Sequence, residues 1–220
     1  MTIEKLYATL GVFIGFSIFN ISCSYAVNVG DYYGGGTVFC VSQTPDTTKC
    51  VTEGSGGHGL IMANEDQVNY LIIPNGGVTW SSVDKITKAL SDDNGYNNTA
   101  RIIYVLPNDN RTNNAAWLSH DYRDPTEEHT DWYLPSKNEL NKMYEFAKDN
   151  YLTGEGCTGS KPGGVQCFVG GQRDSWRAFW SSTESLRGND GVWYQSFVDG
   201  YKNDANKDKV QFGVRAIRAF

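Results

Sequence analysis

The stretch DWYLPSKNELNKMY, residues 131–144, carries the clearest local signal for structure in the chain. Within it, Ser136 and Glu139 have the S-x-x-E spacing of a capping box, in which each side chain bonds to the other residue's backbone N–H at the start of a helix. One face of the following segment carries the apolar residues Leu140, Met143, Tyr144 and Ala147. The stretch therefore predicts an amphipathic helix that begins after Ser136.

The segments around this helix predict an α+β fold. Strand-like patterns lie at 37–41, 59–63, 178–183, 192–198 and 209–219. Helical spacing of apolar residues predicts short helices from Asn64 to Pro74 and within 82–90, 98–106 and 113–122. Because helices precede a set of antiparallel strands at the end, we expect one α+β domain over residues 27–220.

Composition excludes several classes of protein. The chain has 220 residues, of which 40% are hydrophobic and 20% charged, so it can bury a core but is too short for two large domains. The 24 glycines and many Asx-rich turns disfavour a helical bundle. A net charge of -6 argues against a surface that binds nucleic acid or anionic lipid as a whole.

Residues 1–26 have the order of a secretory signal peptide. Lys5 precedes an apolar run, and Ser24 and Ala26 place small residues before the predicted cleavage point. An uncleaved membrane anchor and a lipid attached at Cys23 are the alternatives. We expect a secreted, cell-surface or periplasmic protein without stable membrane insertion after cleavage.

The four remaining cysteines predict disulfides, because an exported chain enters an oxidising compartment. They allow three connectivities. Cys40–Cys50 and Cys157–Cys167 are favoured because each pair is ten residues apart and flanks turn-rich sequence. Long-range pairing is the alternative, and the spacing does not match a zinc site.

Four stretches together resemble a known bacterial family. They are DWYLPSKNEL at 131–140, WSSTE at 180–184, WYQSFVDG at 193–200 and VRAIRAF at 214–220. In order and spacing they are similar to the C-terminal domain of the collagen-like adhesin Lcl, and the resemblance covers about residues 35–220. Where many members have a cysteine after an upstream Ala-Ala pair, this chain has Ser119.

The resemblance implies a C-type-lectin-like fold and a binding module rather than an enzyme. The collagen-like member binds sulfated glycosaminoglycans as a trimer. This chain has no Gly-X-Y repeat that would drive trimerisation through a collagen stalk, so neither its ligand nor its oligomeric state follows directly. A homo-oligomer is nevertheless compatible with the sequence.

The charge distribution suggests where a ligand would bind. Residues 27–156 carry 9 basic and 18 acidic side chains, whereas residues 157–220 carry 9 basic and 6 acidic ones. We predict that an anionic glycan is bound by a basic set with two neighbouring aromatic residues: Lys202, Lys207, Lys209, Arg215, Arg218, Tyr201 and Trp176. Alternatively, the arginines pair with internal carboxylates and the lysines are solvated, and the partner is a host or surface protein instead of a glycan.

Other chemistry is less well supported. Ser181, Ser182 and Thr183 lack a G-x-S-x-G elbow, so we expect them to bond to backbone groups rather than to act as nucleophiles. Segment 199–208 contains oxygen ligands that could hold calcium, but it lacks the final Glu of an EF-hand loop, which favours a hydrogen-bonded turn and no cofactor. Three of the six tryptophans, Trp132, Trp180 and Trp193, are predicted to lie in the core.

Overall fold

The computed structural model describes residues 26–67, 77–153, 157, 164–169, 177–187 and 190–220. The predicted signal peptide, apart from Ala26, and Trp176 lie outside these residues. Three helices are described: α1 (Gly95–Val105), α2 (Ala115–Asp121) and α3 (Lys137–Asp149). The strands are β1 (Val27–Asn28), β2 (Tyr32–Tyr33), β3 (Gly36–Ser42), β4 (Ser55–Gly56), β5 (His58–Met62), β6 (Ala178–Glu184), β7 (Gly191–Ser196), β8 (Lys202–Asn206) and β9 (Ile217–Ala219).

The described strands form antiparallel sheets. A four-stranded sheet has the order β2-β3-β5-β9, a three-stranded sheet has the order β6-β7-β8, and β1 pairs with β4. The last strand therefore returns to the first half of the chain, where Ile217 lies opposite Met62. The predicted α+β class is confirmed.

Helix α3 joins the two larger sheets through a shared core. Its buried residues Leu140, Met143 and Phe146 lie in one cluster with residues from both sheets and from the turn after β7, among them Phe39, Met62, Phe179 and Phe197. The capping box at Ser136 and Glu139 is present as predicted. Burial of this apolar face stabilises the helix beyond its intrinsic propensity. The start of α3 is thereby held at a fixed position beside β6 and β7.

Three predicted elements differ from the structure in whole or in part. Segment 82–90 is not helical, and its apolar residues Val83, Ile86 and Leu90 are exposed. The predicted strand at 209–219 is reduced to β9, because residues 212 and 213 make isolated bridges to Val78 and Phe179 instead of continuing one strand. Of the predicted helix after Asn64, residues 64–67 are not helical and residues 68–76 lie outside the described part.

Both favoured disulfides, Cys40–Cys50 and Cys157–Cys167, are present. We expect the double variant C40A/C50A to lose about 2–3 kcal/mol of unfolding free energy, since an open ten-residue loop restores entropy to the unfolded chain. C157A/C167A opens a loop of the same length and should lose a similar amount. Urea unfolding of both variants is the measurement, and a loss below about 0.5 kcal/mol in either would contradict the entropy argument.

Candidate functional site

Two of the predicted ligand-binding residues lie inside the protein. The ammonium group of Lys207 is fully buried, 2.9 Å from Oε1 of Glu184, and donates to the carbonyl of Lys85 at 3.1 Å. The guanidinium of Arg215 is also fully buried, and its Nη2 lies 2.6 Å from Oδ1 of Asp66. Because neither cation reaches solvent, the prediction that they bind a ligand on a shared cationic face is wrong for both.

The remaining members of the predicted set that the structure describes do not form one surface. Arg218 donates to both carboxylate oxygens of Asp131, at 2.7 and 3.0 Å, as the internal-pairing alternative predicted. Lys209 is exposed and pairs with its neighbour Asp208. Tyr201 and Lys202 are both exposed. Among the described members of the set, Lys202 is the one that lies near other cations that reach solvent.

These cations lie beside Trp193, which is half-buried and not part of the core. The Lys137 ammonium lies 4.7 Å from the centroid of the indole ring, and Cζ of Arg187 lies 5.2 Å from it. Lys202 stands on the neighbouring strand, opposite Gln195. We call Lys137, Arg187, Trp193 and Lys202 the tryptophan surface.

The strand pairing explains how this surface forms. In β7, Val192 and Tyr194 point into the core, so Trp193 points to the opposite face of the sheet. Helix α3 begins at Lys137 beside that face. The prediction that Trp193 is a core residue is wrong, because its strand has apolar residues on both sides and only one side is fully covered.

Carboxylates flank the cations of the tryptophan surface. Lys137 pairs with Asp92 at 2.7 Å, and Arg187 lies 3.9 Å from Asp204. Within the described part of the chain, Lys202 forms no ion pair or hydrogen bond through its ammonium. Burial and the nearby Lys137 cation lower the pKa of Lys202, while Glu145 opposes this shift. An anion between Lys202 and Lys137 would relieve that repulsion.

A separate, concave surface lies between α1 and the segment before α3. It encloses about 560 Å³ and is lined by Tyr96, Tyr104, His120, Asp131, Trp132 and Tyr133, among others. Tyr96 and Tyr104 are exposed, and the rings of Tyr96 and Tyr133 pack in a T-shaped arrangement with their centroids 5.8 Å apart. Aromatic side chains that stand open to solvent around a cavity offer a ring face to a ligand.

An acidic cavity of about 580 Å³ adjoins this aromatic one, because Tyr96, Asp131 and Tyr133 line both. It adds the carboxyl groups of Asp46, Asp93 and Glu139. No Lys or Arg is among the described lining residues of either cavity. We call the two cavities together the tyrosine groove.

The acidic end of the groove is built by the α3 capping box. Oε2 of Glu139 accepts hydrogen bonds from the backbone N–H groups of Ser136 at 2.7 Å and Gly95 at 2.9 Å. Gly95 is needed here, since a Cβ atom would lie 2.5 Å from that same oxygen. Burial raises the pKa of Glu139 to about 7, against the lowering effect of these donors and of the Tyr133 hydroxyl.

Two of the three candidate nucleophiles bond to backbone groups, as predicted, whereas Ser182 Oγ accepts a hydrogen bond from the Asn98 side-chain amide at 3.3 Å. Ser181 Oγ donates to the carbonyl of Trp193 at 2.8 Å, and Thr183 Oγ1 donates to that of Ser91 at 2.8 Å. The run 199–208 forms β8 and two turns, and within the described residues no three His, Cys, Asp or Glu side chains are grouped so that they could hold a metal ion. The Ser181 and Thr183 hydroxyls thereby stabilise the backbone of the neighbouring segments.

Sequence reasoning missed most of both surfaces. Lys137 and Asp93 were not singled out, and Tyr104, within the predicted helix at 98–106, is exposed. In α1 the buried residues include Asn98, Thr99 and Ile102, so the inward face carries polar residues. The feature that could have indicated the tyrosine groove is a helix that exposes two tyrosines, Tyr96 and Tyr104, and buries polar residues.

Comparison with solved structures gives a distant match. The fold of this chain is similar to part of a fimbrial protein. The crystal structure of that protein, from Bacteroides ovatus ATCC 8483, matches 87% of this chain with a TM-score of 0.50 and 15% sequence identity. The chain spans about half of the fimbrial protein's length, 48%. At this identity the likeness concerns the fold alone.

No family model matches the chain, and no curated protein matches it. In the described part of the chain, no helix has the length and apolar character needed to cross a bilayer.

Proposed function

We propose that this protein is an exported surface adhesion module that binds anionic, sulfated glycans through the tryptophan surface. The carrying observation is that the Lys137 and Arg187 cations lie against one half-exposed indole, while Lys202 stands on the neighbouring strand and forms no ion pair in the described part of the chain. The proposal keeps the predicted ligand class and one predicted residue, and it replaces the buried Lys207 and Arg215 by Lys137 and Arg187.

The chemistry of these side chains suits a sulfated sugar. Lys202 and Arg187 are exposed enough to donate charge-assisted hydrogen bonds to sulfate oxygens, and the planar guanidinium of Arg187 can donate two in parallel. The half-exposed ring of Trp193 offers an apolar surface between them. The loose 3.9 Å pair of Arg187 with Asp204 can be exchanged for a sulfate at little cost.

The neighbouring carboxylates set the strength of the site. Asp92, Asp204 and Glu145 offset much of the positive charge, so a single copy should bind weakly. Several copies on one surface would raise the apparent affinity, because a second contact on the same polymer is intramolecular. A weak, multivalent contact is typical of adhesion.

Three features support an exported surface module. Two disulfides fit an oxidising compartment. The fold is similar to part of a protein described as fimbrial. The four stretches that resemble the Lcl C-terminal domain lie at the start of α3, on β6, on β7 and the following turn, and at the end of the chain, around the shared core. The proposal includes membership of that family and a C-type-lectin-like fold.

A charge-deletion experiment tests the site. We expect the double variant R187A/K202A to lose at least tenfold affinity for a heparin-derived hexasaccharide, since two charge-assisted hydrogen-bond donors are removed. The matched control is Lys148→Ala, which removes an exposed cation from the same helix as Lys137, about 16 Å along its axis. Isothermal titration at two salt concentrations measures both affinity and its salt dependence.

Each outcome decides for or against the assignment. Loss of binding in R187A/K202A, retention in K148A and weaker binding of the unchanged protein at higher salt support the tryptophan surface. Equal affinities in all three proteins would place the glycan elsewhere and remove this site. Absence of any hexasaccharide binding by the folded protein would overturn the proposed ligand class.

A further inference from the structure

We propose that the tyrosine groove docks an extended, basic peptide segment of a partner protein. This inference does not depend on glycan binding, because it concerns other residues on α1 and on the segment that precedes α3. One such occupant supplies two things that the groove lacks: a cation for its carboxylates, and an apolar or cationic group for its exposed rings.

Charge is the first argument. The lining includes the carboxyl groups of Asp46, Asp93, Asp131 and Glu139 and, within the described residues, no Lys or Arg. Asp46 and Asp131 already pair with Lys49 and Arg218 outside the lining. Asp93 is exposed and accepts a hydrogen bond from the Asn138 amide at 2.6 Å. In the described part of the chain its carboxylate forms no ion pair, and the nearby Lys142 donates its hydrogen bonds to the carbonyls of Thr48 and Cys50, so a Lys or Arg side chain of a partner fits there.

The exposed tyrosines are the second argument. Contact with Tyr133 fixes the ring of Tyr96 at the junction of the two cavities, where 58% of the residue remains exposed. Tyr104, at the other end, is 77% exposed and has the guanidinium of Arg101 5.9 Å from its ring centroid. Fixed tyrosine rings attract a partner's ammonium or guanidinium through the ring quadrupole, and they also pack against aliphatic side chains.

The alternative occupants are the third argument. A free metal ion or a simple amine brings no apolar group to pack against the exposed rings. A sulfated glycan is repelled by the carboxylates of the acidic cavity. An extended basic peptide brings side-chain cations and apolar groups together, so it fits both cavities.

The test uses a defined probe and two protein variants. The probe is the capped peptide Ac-Lys-Leu-Lys-Leu-Lys-Leu-Lys-NH2 with a fluorescent label, and the comparison peptide has Glu in place of each Lys. We expect the protein to bind the basic peptide at least tenfold more tightly than the acidic one in fluorescence anisotropy. Asp93→Asn and Tyr96→Ala should each weaken binding of the basic peptide by about three- to tenfold, because each removes one contact of an exposed side chain.

Two controls separate this site from general charge attraction. Asp149→Asn removes an exposed carboxylate at the far end of α3 and should leave the affinity for the basic peptide unchanged. R187A/K202A should also leave it unchanged, so failure of the glycan proposal and failure of this one are distinguishable. Asp93 and Tyr96 are exposed, and circular dichroism melting of their variants should match that of the unchanged protein.

Several outcomes would overturn the proposal. Binding of the basic peptide that is equally weakened by Asp149→Asn would mean diffuse attraction to an acidic protein. Unchanged binding in both groove variants would place the peptide elsewhere. Displacement of the labelled peptide by the neutral oligosaccharide maltohexaose at matching concentration would assign the groove to a sugar. No detectable binding of the basic peptide would also contradict the assignment.

Discussion

Replacement of Lys207 by methionine is expected to lower the unfolding free energy by about 3–5 kcal/mol, the usual cost of leaving one charge of a buried ion pair alone. The Glu184 carboxylate is almost fully buried and accepts from the Lys207 ammonium at 2.9 Å. It also accepts from the backbone N–H groups of Thr87, at 3.0 and 3.1 Å, and Lys88, at 2.7 Å. Without the ammonium, those donors alone would have to compensate its charge. Urea unfolding at pH 7 measures the loss.

Two further variants identify the cause of that loss. Lys209→Met removes an exposed cation two residues away and should change stability by less than about 0.5 kcal/mol. The double variant E184Q/K207M removes both charges and should be more stable than K207M alone, because the uncompensated charge is gone. A K207M protein within about 1 kcal/mol of the unchanged one would show that Lys207 contributes little to the interior.

The helix at 137–149 could be predicted because its determinants are local. Ser136 and Glu139 are three residues apart, and each satisfies the other's backbone donor without help from the rest of the chain. The prediction of a helix at 82–90 was wrong because a distant residue determines the conformation of that segment. Its apolar spacing is helical, but the N–H groups of Thr87 and Lys88 are bound by Glu184, a residue almost 100 positions later. Such a competing acceptor has no signature in the segment itself.

The candidate sites show the same division between local and distant determinants. The prediction from sequence rested on the number of basic residues near the C-terminus. Which of them pair with buried carboxylates depends on residues far away in the sequence. Arg215 meets Asp66 and Lys207 meets Glu184, over separations of 149 and 23 residues. Lys137 and Trp193 are likewise brought together by packing of α3 against β7. Charge patterns therefore predicted the kind of side chain, and tertiary pairing decided which of them face solvent.

The stability of this protein should fall as the pH rises from about 4.5 to 7 through the contribution of Glu139. The pKa of this carboxyl group is about 7 in the folded protein and 4.5 as its ordinary value. Between these values the unfolded chain loses a proton that the folded protein keeps, so the unfolded state gains relative stability. A difference of this size corresponds to about 3 kcal/mol, present in full below pH 4.5 and lost above pH 7.

Glu139→Gln isolates this contribution. Glutamine retains an oxygen for the N–H groups of Ser136 and Gly95 and fits a capping box, but it cannot ionise. Urea unfolding of both proteins from pH 4 to 8 should show the variant gaining about 3 kcal/mol relative to the unchanged protein over that range. Glu145→Gln, an exposed carboxyl group on the same helix, is the matched control and should show no such gain. Parallel curves for E139Q and the unchanged protein would mean that the backbone donors already hold Glu139 ionised, so that the acidic end of the groove carries its full charge throughout.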